Sequence, residues 1–243
     1  DLSYRHYQFL IECLDDLKYD IEKLGQELII RSGNVLEIFQ DINQQFDISE
    51  LWSHQETWNY WTFKRDRSVR KWTDLNNIKW NEPSQNGVIR ALKDRDGWSK
   101  NWHTKMKVDN FLPPEKLNKL NIKTEEIPKP KDISLNRIDF VNIQKGGRRE
   151  GLKLLDSFLV KRGKNYSREM SSPLTATNSC SRLSAHLSFG SLSIKEVFQA
   201  TEAKKKELKE LPKELKGNWI KSLNSFLGRL RWHCHFIQKL EDE

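Results

Sequence analysis

The chain has 243 residues, 31% charged and 36% hydrophobic, with a net charge of +8. That length holds one large or two ordinary domains, and nine Trp with eleven Phe provide the apolar surface that disordered chains lack. No run approaches the roughly 18 apolar residues of a membrane span, the start Asp1-Leu2-Ser3 has no signal-peptide character, and Cys13, Cys180 and Cys234 give no disulfide framework, so a soluble, intracellular (cytoplasmic), reduced protein is expected.

Between Tyr7 and Leu24, the residues Leu10, Leu14, Leu17, Ile21 and Leu24 recur at three- and four-residue spacing, which predicts a helix. Gly25 ends it. Leu28-Ile29-Ile30 reads as a short strand, Asn34 opens a second helix through Val35, Ile38, Phe39 and Ile42, and Ile48 to Trp52 is a further strand candidate. Helix, strand, helix, strand is the rhythm of a parallel sheet with crossover helices. Two strands alone are too few and the chain opens in a helix, so an incomplete α/β unit over residues 1–110 is expected, cut at its start. Seven tryptophans lie between Trp52 and Trp102, interleaved with Lys64, Arg65, Arg67, Arg70 and Lys71. This mixture suits packing between a sheet and its helices, or stacking on bases or a planar cofactor.

Residues 111–145, with Pro113, Pro114, Pro128 and Pro130, have no sustained period and read as a linker. From 146 to 243 the pattern is helical throughout, with helices expected over 148–162, 193–209 and 216–240. The charge divides the same way. Residues 1–110 carry 16 Lys/Arg against 18 Asp/Glu, and residues 145–243 carry 20 against 11. A basic half joined to a near-neutral half points to a polyanion partner on one side, or to a lysine-rich solubilising surface.

Ser181-Arg182-Leu183-Ser184 places hydroxyls, backbone N–H groups and a planar cation where an anion could be met at a helix start. The alternative is an ordinary serine cap with Arg182 in a surface ion pair. Ser181 to Phe189-Gly190 and Leu192-Ser193, then Arg229-Leu230-Arg231-Trp232-His233-Cys234, resemble the signature segments of the DNA photolyase/cryptochrome family. Gly146 to Gly151, Tyr166 and the Arg5-to-Gly25 helix resemble it less strongly.

The resemblance implies an α/β antenna domain followed by an all-α domain that holds FAD, and it implies that the chain is an internal part of such a protein, truncated at both ends. The expected activity of the complete protein is light-driven repair of pyrimidine dimers in DNA by a monomer, with the fragment itself inactive and a weak FAD binder. A second, antenna chromophore of folate or deazaflavin type is also possible within the family. By the same resemblance Cys180, Ser181, Arg182, Leu183 and Ser184 would hold the FAD pyrophosphate, with Tyr166 hydrogen-bonding nearby, Phe226 beside the flavin and His233 at a position where relatives have arginine. Trp232 would stack on a flipped-out dimer. Arg229 stands where photolyases carry a glutamate that contacts the lesion; an arginine donates but cannot accept, which favours a cryptochrome-like photoreceptor without repair. A flavin-free basic nucleic-acid-binding protein is the third reading. His233-Cys234-His235 is not read as a metal site, because successive helical residues point about 100° apart. His6, His54 and His103 stand alone, and no P-loop or dinucleotide fingerprint occurs.

Overall fold

A computed structural model describes residues 2–57, 59–136 and 143–242. Trp58 and residues 137–142 of the expected linker lie outside the described residues, as do the terminal Asp1 and Glu243.

Helix α1 (Tyr4–Lys23) opens at Ser3, whose hydroxyl accepts the His6 N–H, and closes at Leu24 before Gly25 at φ 99°. Helix α2 (Val35–Phe46) opens at Asn34, whose Oδ1 accepts the Leu36 N–H at 2.9 Å. Strand β1 (Glu50–Trp52), helix α3 (Tyr60–Leu75) and strand β2 (Lys79–Asn81) then form a parallel crossover unit, with Leu51 opposite Trp80. Asn59 and Thr62 cap α3 reciprocally.

The strand expected at Leu28–Ile30 does not form. Its backbone bonds run instead to the segment near residue 124: the Ile30 N–H donates to Thr124 Oγ1 at 3.0 Å, and its carbonyl accepts from the Glu125 N–H at 2.8 Å. A side-chain hydroxyl supplies one of those two partners, so no ladder develops. The partner of β1 is β2, whose short Lys-Trp-Asn run carries little apolar signal.

Helix α4 (Trp98–Lys107) comes next, followed by an irregular stretch whose Phe111 is 94% exposed. A 3₁₀ turn spans Pro130–Ile133. The rest is helical: α5 (Arg148–Val160), the short α6 (Tyr166–Glu169), α7 (Ala176–Ser179) and α8 (Ser184–Ser188), then α9 (Ile194–Lys209), α10 (Lys213–Lys216) and α11 (Trp219–Asp242). Ser193 caps α9 by accepting the Glu196 N–H at 3.0 Å. The expected helix over 216–240 begins at Trp219, because Gly217 adopts φ 48°. No described helix is long and apolar enough to cross a membrane.

The main core lies between α5, α9 and α11, with Phe158, Val197 and Leu223 all at 0% exposure. Val88 and the α4 residues Trp98, Trp102 and Met106 belong to the same core. Gly87 permits this, since a Cβ there would sit 1.9 Å from the Trp102 ring. The tryptophan-rich stretch thus divides. Trp98 and Trp102 are buried packing residues, Trp72 stacks on Phe39 at 5.7 Å, and Trp52 and Trp61 face solvent.

The start of α5 is capped by another helix. Gly146 N–H donates to Glu12 Oε2 at 2.6 Å, Gly147 N–H to Cys13 Sγ at 3.1 Å, and Arg149 N–H to Asp16 Oδ2 at 3.1 Å. Two donors of the helix start, those of Gly147 and Arg149, and the one just before it are therefore satisfied by α1 side chains. The approach needs glycine at 146, where a Cβ would lie 2.3 Å from the Phe9 carbonyl oxygen.

Candidate functional site

Helix α11 brings Ser222, Phe226, Arg229 and His233 onto one stripe by their three- and four-residue spacing. The stripe faces the turn at Arg162–Asn165 and α6. Ser222 fixes the contact: its hydroxyl accepts the Ser167 N–H at 3.1 Å and donates to the Lys164 carbonyl at 2.9 Å. Phe226, Phe158 and Tyr166 form a buried aromatic triad, with Phe226 centred 4.6 Å from Phe158 and 5.8 Å from Tyr166.

Residues Cys180 to Ser184 run past this triad with their polar groups sorted to two sides. Arg162 donates to the carbonyls of Leu154 (2.9 Å), Cys180 and Ser181 (3.3 Å) and to Ser157 Oγ (2.9 Å), and Gln144 Nε2 donates to the Arg182 carbonyl at 2.7 Å. The carbonyls are thus tied down on one side. Arg182 adopts φ 60° and Leu183 returns to the right-handed region at φ −90°. A left-handed residue followed by a right-handed one turns successive N–H groups toward a common point, a concavity suited to an anion. Among the described residues, the N–H groups of 182, 183 and 184 donate to no acceptor. A positive φ at a residue with a side chain is strained, and here the fork of Arg162 holds it. The alternative reading, an ordinary serine cap, is not what forms: the residue before α8 is Leu183, which makes no side-chain cap, and Ser184 is the first helical residue, exposed.

Three guanidinium groups surround this turn. Arg162, Arg182 and Arg229 all act on the Cys180 thiol and favour its ionisation, yet burial prevails and pushes the thiol up from its ordinary value. Burial also raises the Tyr166 phenol, with Cys180 adding to it and Arg229 opposing. Burial lowers the Arg162 guanidinium, and neighbouring Arg182 lowers it further. Burial lowers the His233 imidazole, whose Nδ1 is enclosed without a partner. At neutral pH the site therefore holds neutral Cys180, Tyr166 and His233 among cations. None of the three guanidinium groups makes an ion pair among the described residues, so the surface ion pair weighed for Arg182 is not formed. Such a cluster is suited to an anionic ligand.

Of the residues singled out in the sequence, Tyr166, Cys180, Arg182, Phe226 and Arg229 come together, with Ser181, Leu183 and Ser184 in the same turn. Leu183 is a core residue. His233 lies one turn beyond Arg229. Trp232 points to the side, 46% exposed, with the Arg229 guanidinium 4.6 Å over its ring. Arg162 was not singled out, and only its place just after a helix could have hinted at it. Cys234 is buried in the core and His235 packs 5.8 Å from Trp98.

Residues 1–94 match the family model for DNA photolyase. The chloroplastic/mitochondrial cryptochrome DASH of Oryza sativa subsp. japonica is 42% identical over 50 residues, 21% of this chain and 9% of that protein. Its Solanum lycopersicum counterpart is 31% identical over 81 residues, 33% of this chain and 13% of that protein. The solved cryptochrome of Synechocystis sp. PCC6803 superposes with TM-score 0.78 at 19% identity, over 99% of this chain and 51% of that one. A bacterial class III photolyase from Agrobacterium tumefaciens gives TM-score 0.77 at 18% identity, over 98% and 50%. These two likenesses define an α/β-then-helical fold, and the chain spans about half the length of either structure. The sequence matches fall on DNA photolyase and cryptochrome proteins over part of the chain, and the structural likeness extends the same fold over nearly all of it.

Proposed function

We propose that the turn from Cys180 to Ser184 is the phosphate-side wall of an FAD pocket in a light-driven lyase that repairs pyrimidine dimers in DNA. The observation that carries this reading is the grouping of Arg162, Arg182 and Arg229, free of ion pairs among the described residues, around a turn whose N–H groups are undonated. The residues fit the group. A pyrophosphate would take the N–H groups of 182–184 and the Arg182 guanidinium, and the enclosed Nδ1 of His233 offers a further polar contact. When bound, FAD supplies the photochemistry. Arg162 is a positioning residue that acts through the carbonyls it ties down. Phe226 and Tyr166 form a dry wall. Trp232 offers a ring face to an extruded base, and the basic excess of residues 145–243 offers contacts to DNA phosphates. In the same reading residues 1–110 are an antenna unit of folate or deazaflavin type, 111–145 a linker and 146–243 the start of the flavin domain.

Arg229 favours a second reading, a photoreceptor without repair, because it cannot accept the hydrogen bond a glutamate would. The deciding experiment uses the product of the complete gene, with its flavin reduced, and follows loss of thymine dimers from irradiated DNA under blue light and in darkness. Light-dependent loss supports the lyase. Bound flavin with no loss supports the photoreceptor, and a protein that takes up no flavin refutes the pocket.

A further inference from the structure

Helix α3 is turned the unusual way round. Its fully buried residues are Thr62, Val69 and Thr73, with Trp72 packed on Phe39, while the rings of its first turn point to solvent: Tyr60 is 69% exposed, Trp61 71% and Phe63 54%. Large rings on the exposed face of a helix that already has a buried face are surplus to packing and mark a surface that meets something.

The stripe is more than apolar. Tyr60, Lys64, Arg67 and Lys71 follow one another at spacings of three and four residues along about 16 Å of helix, with Phe63 three residues after Tyr60 and four before Arg67. The rings of Tyr60 and Phe63 lie 6.5 Å apart with planes 27° from parallel, Lys64 sits 4.5 Å over Tyr60, and Arg67 5.9 Å over Phe63. The helix carries five basic residues against two acidic ones. Two of the five are neutralised, Arg65 by Glu56 and Asp66, and Arg70 by Glu82. Lys64, Arg67 and Lys71 make no ion pair among the described residues. The stripe runs into a shallow groove of about 400 Å³ lined by Arg67, Arg70, Lys71, Asp74 and Leu75, with Asp74 its one acid.

We infer that the outer face of α3 is a second nucleic-acid site, a platform for undamaged single-stranded DNA, separate from the flavin pocket. Unstacked bases would lie on Tyr60 and Phe63, and the backbone phosphates would follow Lys64, Arg67 and Lys71 into the groove. Ring faces supply sequence-tolerant stacking and free cations supply phosphate contacts, the combination that single strands require. A protein partner drawn by the rings alone would be opposed by three cations whose hydration it must displace.

The test is fluorescence anisotropy of a labelled, undamaged oligothymidine 16-mer with the full chain, in darkness, across a salt series. Flavin and lesion repair do not enter this readout, so the platform and the flavin pocket stand or fall separately. Arg67→Glu with Lys71→Glu should weaken binding at least tenfold and reduce the salt slope by about 1.4, the value for two phosphate contacts on a single strand. Tyr60→Ala with Phe63→Ala should weaken it about tenfold and leave the salt slope unchanged, as loss of stacking does. Lys116→Glu with Lys119→Glu, an equal charge change on the exposed stretch after α4, should change affinity less than twofold. Circular dichroism would verify that each variant is folded. The platform is refuted if the chain does not bind the oligomer at low salt, if the Lys116/Lys119 pair weakens binding as much as the α3 pair, or if the ring variant binds like the parent and instead abolishes a dimer seen by sedimentation.

Discussion

Two regions of the molecule use the same aromatic residues in opposite ways. Around α11 the rings point inward, and Phe158, Tyr166 and Phe226 are buried together, Tyr166 edge to face with both phenylalanines, beneath the turn that gathers three arginines. Along α3 the interior is left to threonine and valine, while Tyr60 and Phe63 stand in water beside lysine and arginine. The same ring stabilises a fold when its neighbours exclude water and invites a partner when they do not. In the first region the charges serve a turn that the packing holds rigid. In the second they lie on the surface itself.

The comparison breaks most visibly in matched truncations. Phe158→Ala should lower unfolding free energy by about 3–5 kcal/mol in urea denaturation, the range for a fully buried ring. Tyr60→Ala should stay within about 0.5 kcal/mol of the parent. Equal losses at the two positions would show that α3 is a packing helix.

A smaller effect is expected at the junction of packing and site. Arg162→Met keeps bulk but leaves the Cys180 and Ser181 carbonyls without their donor, which should reduce stability by about 1–3 kcal/mol. It should also speed amide exchange at Leu187, whose N–H donates to the Leu183 carbonyl of the turn. Arg162→Lys should restore less than half of either loss, because an ammonium lacks the planar fork. Full rescue by lysine would reduce Arg162 to a generic cation.

Acid sharpens the contrast further. Burial holds the His186 imidazole below its ordinary value, with the Glu150 carboxylate partly opposing, and burial does the same for His233. Each pKa is lowered in the fold, so the unfolded chain binds more protons between that lowered value and about 6.5. Stability should be level above that window and fall as pH drops through it, by up to about 1.4 kcal/mol per pH unit for each histidine. In His186→Gln the pH dependence over the same window should be shallower. An unchanged slope would assign the proton uptake elsewhere.

The smallest effect belongs to the exposed pair Arg148 and Glu196, joined at 2.9 Å through one nitrogen and more closely through the other. Arg148→Ala should cost no more than about 1 kcal/mol, and less at high salt. A larger loss would mean that the start of α5 depends on this pair as well as on its caps from α1.

What the sequence determined by itself was local. Ser3, Asn34 and Ser193 each sit before a helix and accept an N–H of its first turn, and cap chemistry acts over three residues, so it is readable in a line of letters. The helical period of residues 146–243, the residues of the 180–184 turn and the likeness to a family were readable for the same reason. The tertiary structure decided whatever depends on which segment lies opposite. Leu28–Ile30 has the composition of a strand, but its backbone partners come from residues 124 and 125, nearly a hundred positions away. Arg162 is one arginine among many until the fold brings the carbonyls of Cys180 and Ser181 to it. The rings of α3 follow a pattern that suits a buried stripe, and only the docking of its threonine face turns them to solvent. Periodicity fixes which residues share a face; what that face meets is set by long-range packing, which no short window of sequence contains.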